Sequence, residues 1–223
     1  MSAPESTLTV PLASGPVDIS VATDTADDAR AVLVLAHGAG AGMRHPFLAG
    51  LARALADDGI TVIRFNFAYV EAGRRMPGRP GDAVTAWRTV VDHAAEAGLP
   101  VHAAGKSYGG RMASMAAAEG GLPVRTLAYL GYPLHPPGKP EKPRAEHLPS
   151  VAQPQLFLEG DLDPFIQPLE QFRDVVATCR DATVEWIEGG NHSFEVKGRR
   201  RPADVIGAEL APILSRFVDA PVR

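Results

Sequence analysis

This sequence predicts a three-layer α/β sandwich: a mostly parallel sheet between two helical layers, opened by an N-terminal antiparallel hairpin. Three observations carry that fold class. Apolar runs alternate with helix-period stripes along the chain, several of the runs are continuously apolar, and glycine and proline mark the junctions. The 223 residues suit a single domain spanning 1–223, with no room for a second of ordinary size.

The elements follow in order. Leu8 to Leu12 and Val17 to Val21 alternate apolar and polar around Gly15-Pro16, the pattern of a half-exposed hairpin. Ala31 to Ala36 is continuously apolar, as a strand buried on both faces must be. Phe47, Leu48, Leu51, Ala52 and Leu55 have helical spacing and end near Gly59. Ile60 to Phe67 reads as a second buried strand, and Val84, Trp87, Val91 and Ala94 as a helix ending at Gly98. Pro100 to Ala104 is a short strand, and the Ala-rich stretch from Arg111 to Ala118 forms the first turns of a helix. Thr126 to Leu130, Gln155 to Glu159 and Thr183 to Ile187 complete the strands. Between the last two, Phe165, Ile166, Leu169, Phe172 and Val176 form a helical stripe. Val205 to Val218 is the closing helix, with a kink expected at Pro212. Six prolines between Pro133 and Pro149 break the rhythm and mark a stiff, cap-like excursion at about 133–150, expected either as a surface connection or as a small cap over the sheet's carboxyl edge.

Composition excludes several function classes. An apolar fraction of 45%, a charged fraction of 22% and a net charge of −4 are those of an ordinary globule and offer no attraction to nucleic acid or an anionic membrane. The run Lys197 to Arg201 is too local to change that and reads as a solvated loop. No apolar stretch approaches the roughly 18 residues of a membrane span. The N-terminal stretch shows no basic region followed by an apolar core, and Cys179 is the single cysteine, so a cytoplasmic location is expected. Neither paired cysteines nor H-E-x-x-H is present, so no metal and no cofactor are expected.

Gly105-Lys106-Ser107-Tyr108-Gly109 lies between a strand and a helix. G-x-S-x-G in that context is a nucleophile elbow, a turn so tight that its flanking residues must be small. A phosphate loop would also contain G-K-S, but it requires a glycine where Pro100 stands. A serine hydroxyl needs a base to take its proton, and the base needs an acceptor to orient it. His192, in the Gly189-Gly190-Asn191-His192 loop after the last strand, has the position for the base. Of the aspartates in the loop after Glu159, Asp163 is expected to orient His192, and Asp161 to bond backbone in the turn. The glycine-rich loop from His37 to Gly42, after the first buried strand, is expected to supply the Ala39 N–H to an oxyanion, opposite the N–H of Tyr108. His37, His135, Tyr69 and Phe165 are the candidate substrate contacts. His93 and His102, within a helix and a strand, have structural roles.

His37-Gly38, Gly105-x-Ser107-x-Gly109, Gly160-x-x-Asp163 and His192 together resemble the α/β-hydrolase superfamily, near its dienelactone-hydrolase-like branch, although the nucleophile there is cysteine. More narrowly, Arg64-Phe65-Asn66-Phe67, Gly105-Lys106-Ser107 with Gly109 to Ala113, and Tyr132 to Pro140 resemble a subfamily of small hydrolases. Its eukaryotic relatives include a testis-expressed protein and a subunit of the NSL histone-acetyltransferase complex. Tyr108 and Ala68 depart from that pattern, which has methionine and proline. The resemblance implies a hydrolase that cleaves a small ester or thioester through an acyl-enzyme, with a non-catalytic binding or scaffold module on the same fold as the alternative. Arg64, in an otherwise buried strand, must find a partner, and for Arg111 an ion pair or backbone contact is expected ahead of substrate recognition.

Overall fold

The computed structural model describes residues 3–220. Strands β1 (Glu5–Leu12), β2 (Gly15–Asp24), β3 (Ala31–Ala36), β4 (Ile60–Phe65), β5 (Val101–Lys106), β6 (Leu127–Leu130), β7 (Gln155–Gly160) and β8 (Ala182–Ile187) form one sheet in the order β1-β2-β4-β3-β5-β6-β7-β8. The β1–β2 and β2–β4 pairs are antiparallel and the rest parallel.

Alternation along β3 shows why the middle of the sheet is apolar throughout. Val32, Val34 and Ala36 point into one core and Leu33 and Leu35 into the other. The first core is closed by α3 (Pro80–Ala95), α4 (Tyr108–Ala118) and α5 (Leu169–Ala177), through Trp87, Met112 and Phe172. The second is closed by α1 (Pro46–Asp57) and α6 (Ala203–Asp219), through Leu51, Leu55, Ile206 and Leu210. A four-residue helix, α2 (Ala68–Glu71), follows β4. Among the described residues no helix is long and apolar enough to cross a membrane.

Three expectations need correction. β4 stops at Phe65 rather than Phe67, because the Asn66 side chain and the Phe67 N–H turn toward the loop after β3. α5 starts at Leu169 rather than at Phe165: the Phe165 N–H is taken by the Asp163 carboxylate, and residues before Pro168 are disfavoured from helix. The closing helix α6 is longer than Val205 to Val218, running from Ala203 to Asp219 with Pro212 inside it.

The strand order sets the site. The chain leaves β3 toward β4 on one side and returns to β5 on the other, so the loops after β3 and β5 flank a topological switch point. Ala36 and Gly105 are paired at that end of the sheet. The loops after β7 and β8 reach the same edge.

α1 and α6 approach so closely that two glycines are required between them. A Cβ on Gly50 would overlap the Asp204 carbonyl, and one on Gly207 the Phe47 carbonyl. Gly207→Ala is therefore expected to lower stability by about 1–3 kcal/mol despite alanine's better helix propensity, because backbone rather than a flexible side chain must move. Urea unfolding measures it, and an unchanged midpoint would show that the two helices part freely.

Candidate active site

Ser107 sits between β5 and α4 with φ 50° and ψ −114°, a left-handed backbone that costs a non-glycine residue about 1–3 kcal/mol. The turn closes only because its neighbours lack side chains. A Cβ on Gly105 would overlap the Gly110 backbone, one on Gly109 would lie 2.6 Å from the His37 carbonyl oxygen, and one on Gly110 2.6 Å from the Gly105 carbonyl oxygen. The Ser107 N–H donates to the Leu130 carbonyl at 3.0 Å, and the Trp87 indole N–H to the Gly109 carbonyl at 3.0 Å.

The loops after β7 and β8 meet backbone to backbone. A Cβ on Gly160 would overlap the Gly190 carbonyl, and the Leu162 N–H donates to that same carbonyl at 2.9 Å. Asp161 accepts from the Gly189 N–H at 2.7 Å, which ties the two loops and leaves Asp163 free to face His192. The Asn191 side chain folds the turn by accepting from the N–H groups of Ser193 and Glu195 at 2.8 and 3.0 Å. His192 then lies with Nδ1 2.5 Å from Asp163 Oδ2 and Nε2 2.9 Å from Ser107 Oγ. Asp163 is fully buried, and its other oxygen accepts from the Phe165 N–H at 2.8 Å. The carboxylate therefore holds the proton on Nδ1 and leaves Nε2 as the acceptor toward Ser107. The Phe165 ring stacks on the imidazole with centroids 4.2 Å apart. Burial lowers the His192 pKa below its usual 6.5, with Asp163 opposing the shift and Lys106 adding to it.

Lys106 escaped the sequence reading. Its ammonium donates to the His192 carbonyl at 2.7 Å and lies over the Phe194 ring, and burial pulls its pKa down to about 8. Glu159, beneath Asp163, is fully buried and accepts from the Tyr132 N–H at 2.6 Å. Burial raises its pKa well above the carboxylate range, which favours a neutral carboxyl beside Asp163.

The glycine-rich loop after β3 is clamped twice. The buried His37 ring donates from Nδ1 to the Gly38 carbonyl at 2.8 Å and accepts at Nε2 from the Phe67 N–H at 3.2 Å. Burial drops its pKa to about 4, so it stays neutral and keeps both bonds. Further on, Met43 is held at both backbone atoms: its N–H donates to Asn66 at 2.8 Å and its carbonyl accepts from Arg64 at 2.6 Å. Arg64 finds its partner in Asp24 of β2, at 2.7 Å. The loop held in this way brings Ala39 into the wall beside Ser107 and Tyr108. The Ala39 and Tyr108 N–H groups donate to no described residue.

A cavity of about 750 Å³ opens over Ser107. Of the candidate substrate contacts, Phe165 lines it and three do not. His37 is consumed by the loop it holds. His135 is buried, with Nδ1 2.9 Å from the Pro136 carbonyl oxygen. Tyr69 packs its ring against Phe67 and Tyr108 and faces a separate, smaller depression. The sequence reading missed Met76, Pro77 and Pro80, which form one lip. The signal for them was a proline-rich stretch following a strand's carboxyl end. From the excursion at 133–150 only Pro133 and Arg144 reach the cavity. The Tyr132 hydroxyl donates to the Arg144 carbonyl at 2.9 Å, and His147 lies 2.7 Å from the Ser114 hydroxyl, which pins the segment along α4.

A family model for the alpha/beta hydrolase domain matches residues 29–211. The chain belongs to that family. Solved structures with the same fold include an alpha-beta serine hydrolase homologue from Coxiella burnetii, at 20% identity and a TM-score of 0.75, covering 97% of this chain and 98% of that one. An α/β serine hydrolase without lid from Xanthomonas campestris aligns at 23% identity and 0.73, covering 99% and 98%. A dienelactone hydrolase from Anabaena variabilis aligns at 20% and 0.74 over the whole of both chains.

In this α/β hydrolase the two aspartates have separable partners. Asp163→Asn is expected to cost about 10⁴-fold in turnover by favouring the wrong His192 tautomer, whereas Asp161→Asn should mainly loosen the loop and lower thermal stability. Ester hydrolysis with parallel melting curves distinguishes them, and a larger kinetic loss at Asp161 would reverse the assignment.

The pH profile tests the role of Lys106. Only neutral His192 accepts a proton, so activity should fall as pH drops through a value below 6.5. Activity should also decline as pH rises through about 8, where Lys106 loses the charge that holds the His192 carbonyl. Lys106→Met removes a positive neighbour, so it should move the acid limb upward, abolish the inflection near 8 and cost up to about 10²-fold in turnover through misplacement of the imidazole. An unmoved acid limb would show that Lys106 is only a packing residue.

Proposed function

We propose that this α/β hydrolase is a cofactor-independent serine hydrolase that cleaves a small carboxylic ester or thioester through an acyl-enzyme. The observation that carries this reading is the continuous hydrogen-bonded line from Asp163 through His192 to Ser107 at the floor of a solvent-reaching cavity. Ser107 Oγ attacks the carbonyl carbon while its proton passes to His192 Nε2. The oxyanion is met by the N–H groups of Ala39 and Tyr108. His192 then returns the proton to the leaving alkoxide or thiolate, and Asp163 stabilises the imidazolium in between. A water repeats the sequence on the acyl-enzyme, with His192 as base, and releases the acid. Phe47, Leu48, Met76, Pro77 and Phe165 give the cavity an apolar wall for an acyl or alcohol chain, and its volume suits a small molecule. Pro133 and Arg144 make the Pro-rich excursion part of the rim that limits substrate bulk. The motif likeness to the small-hydrolase subfamily supports the same reading, and a reducing cytoplasm suits the single free cysteine.

A fluorophosphonate probe should label the wild-type protein at Ser107 and fail to label Ser107→Ala, which should retain its fold and lose turnover on the order of 10⁶-fold. Absence of labelling in the folded wild type would favour the non-catalytic scaffold alternative. Retention of most esterase activity by Ser107→Ala would remove Ser107 as nucleophile.

A further inference from the structure

Arg111 stands one helical turn past Ser107, its N–H donating to the Ser107 carbonyl at 3.1 Å. Arg30, Arg44, Arg53, Arg64, Arg88 and Arg201 all pair with carboxylates. Arg111 pairs with none among the described residues, and its Nε is buried without a hydrogen-bond partner. The ion pair or backbone contact expected from the sequence is therefore absent. Its side chain is in the cavity wall, and Arg144 joins it there. Arg144 is set in place by its own backbone, whose N–H donates to the Leu134 carbonyl at 2.7 Å and whose carbonyl accepts from Tyr132 at 2.9 Å. Its side chain likewise forms no ion pair with a described residue.

Two guanidinium groups facing one cavity repel each other, and a half-buried cation with an unmet donor loses solvation. Burial lowers the Arg111 pKa, and the charge of Arg144 lowers it further. An anion between them would relieve both costs. The wall holds Lys106, Arg111 and Arg144 against a single carboxylate, Glu195, which accepts from Asn191 on the His192 loop. Lys106 is engaged by the His192 carbonyl, so the two arginines are the cations left for a ligand.

We propose that Arg111 and Arg144 form an anion subsite beside Ser107, and that the substrate is an ester or thioester carrying a free carboxylate. This rests on the hydrolase reading above and names its substrate class. A guanidinium binds a carboxylate through two parallel N–H donors, so the subsite fixes orientation as well as charge.

Monoethyl glutarate and ethyl pentanoate differ by a carboxylate in place of a terminal methyl group. At low salt the wild type should prefer the charged ester by about tenfold or more in kcat/KM, with the preference shrinking as salt rises. Arg111→Gln and Arg144→Gln should each reduce that ratio several-fold, mainly through KM of the charged ester, and Arg111→Lys should restore part of it. Glutarate itself should raise the Tm of the wild type and do so less in either Gln variant, a readout that needs no turnover. A ratio near one, with no stabilisation by glutarate, would overturn the subsite. If Ser107 is still labelled by fluorophosphonate, the hydrolase reading stands without it. If Ser107 is not labelled and neither ester is cleaved, the hydrolase reading falls and the glutarate shift alone decides the subsite. Should Arg111→Gln fail to fold, the exposed Arg144→Gln carries the test.

Discussion

The site depends on a backbone that bends where a side chain would forbid it. Ser107 adopts a left-handed conformation that only its surroundings can enforce, and those surroundings are three glycines pressed against carbonyls and amides. Gly105 and Gly110 let the end of β5 touch the first turn of α4, while Gly109 lets α4 touch the loop after β3. Because of these contacts Ser107, Tyr108 and Ala39 line one cavity. A methyl group at any of the three would push apart the elements that carry them. The strain is local, and it is held by β5, packed into both cores, and by α4, packed into the first.

The same device joins the other half of the site. Gly160 and Gly190 bring the loops after β7 and β8 to backbone contact, so that Asp163 and His192 meet at hydrogen-bond distance although the loops lie 29 residues apart. Charges and dipoles then fix what packing leaves free. Lys106 ties the His192 carbonyl to the strand that leads into Ser107, and Arg64 with Asn66 grips both backbone atoms of Met43. A buried arginine in a strand is costly without a partner, and here its Asp24 ion pair lets it serve as a rigid strut for the loop that bears Ala39. Burial also keeps His37 neutral, which its double hydrogen bond requires.

The contrast between Arg64 and Arg111 shows how charge divides labour around the cavity. Both are arginines on elements otherwise apolar, yet one is saturated by Asp24 and Met43 while the other faces the cavity with its Nε unmet. A saturated guanidinium holds structure together. An unsaturated one in the cavity wall is the observation on which the proposed anion subsite rests.

The sequence by itself determined the layered α/β fold, the order of its strands and helices, and the loops that bear Ser107, Asp163 and His192, because period, apolar runs and glycine spacing are local properties of the chain. It offered Asp161 for a backbone bond and Asp163 for His192, and the structure places Asp161 against the Gly189 N–H and Asp163 against His192 Nδ1. It did not reach the ends of β4 and α5, where Asn66 and Asp163 capture backbone amides that the periodicity assigns to strand or helix. Nor did it separate the histidines and tyrosines that line the cavity from those that pack beneath it. His37, His135 and Tyr69 are polar residues near the right loops, and only the tertiary structure shows that they are packed away from the cavity wall. Lys106, Met76 and Arg144 entered the site for the converse reason. Their places in the wall arise from contacts between segments far apart in the chain, and no local pattern encodes which distant backbone a flexible side chain will meet.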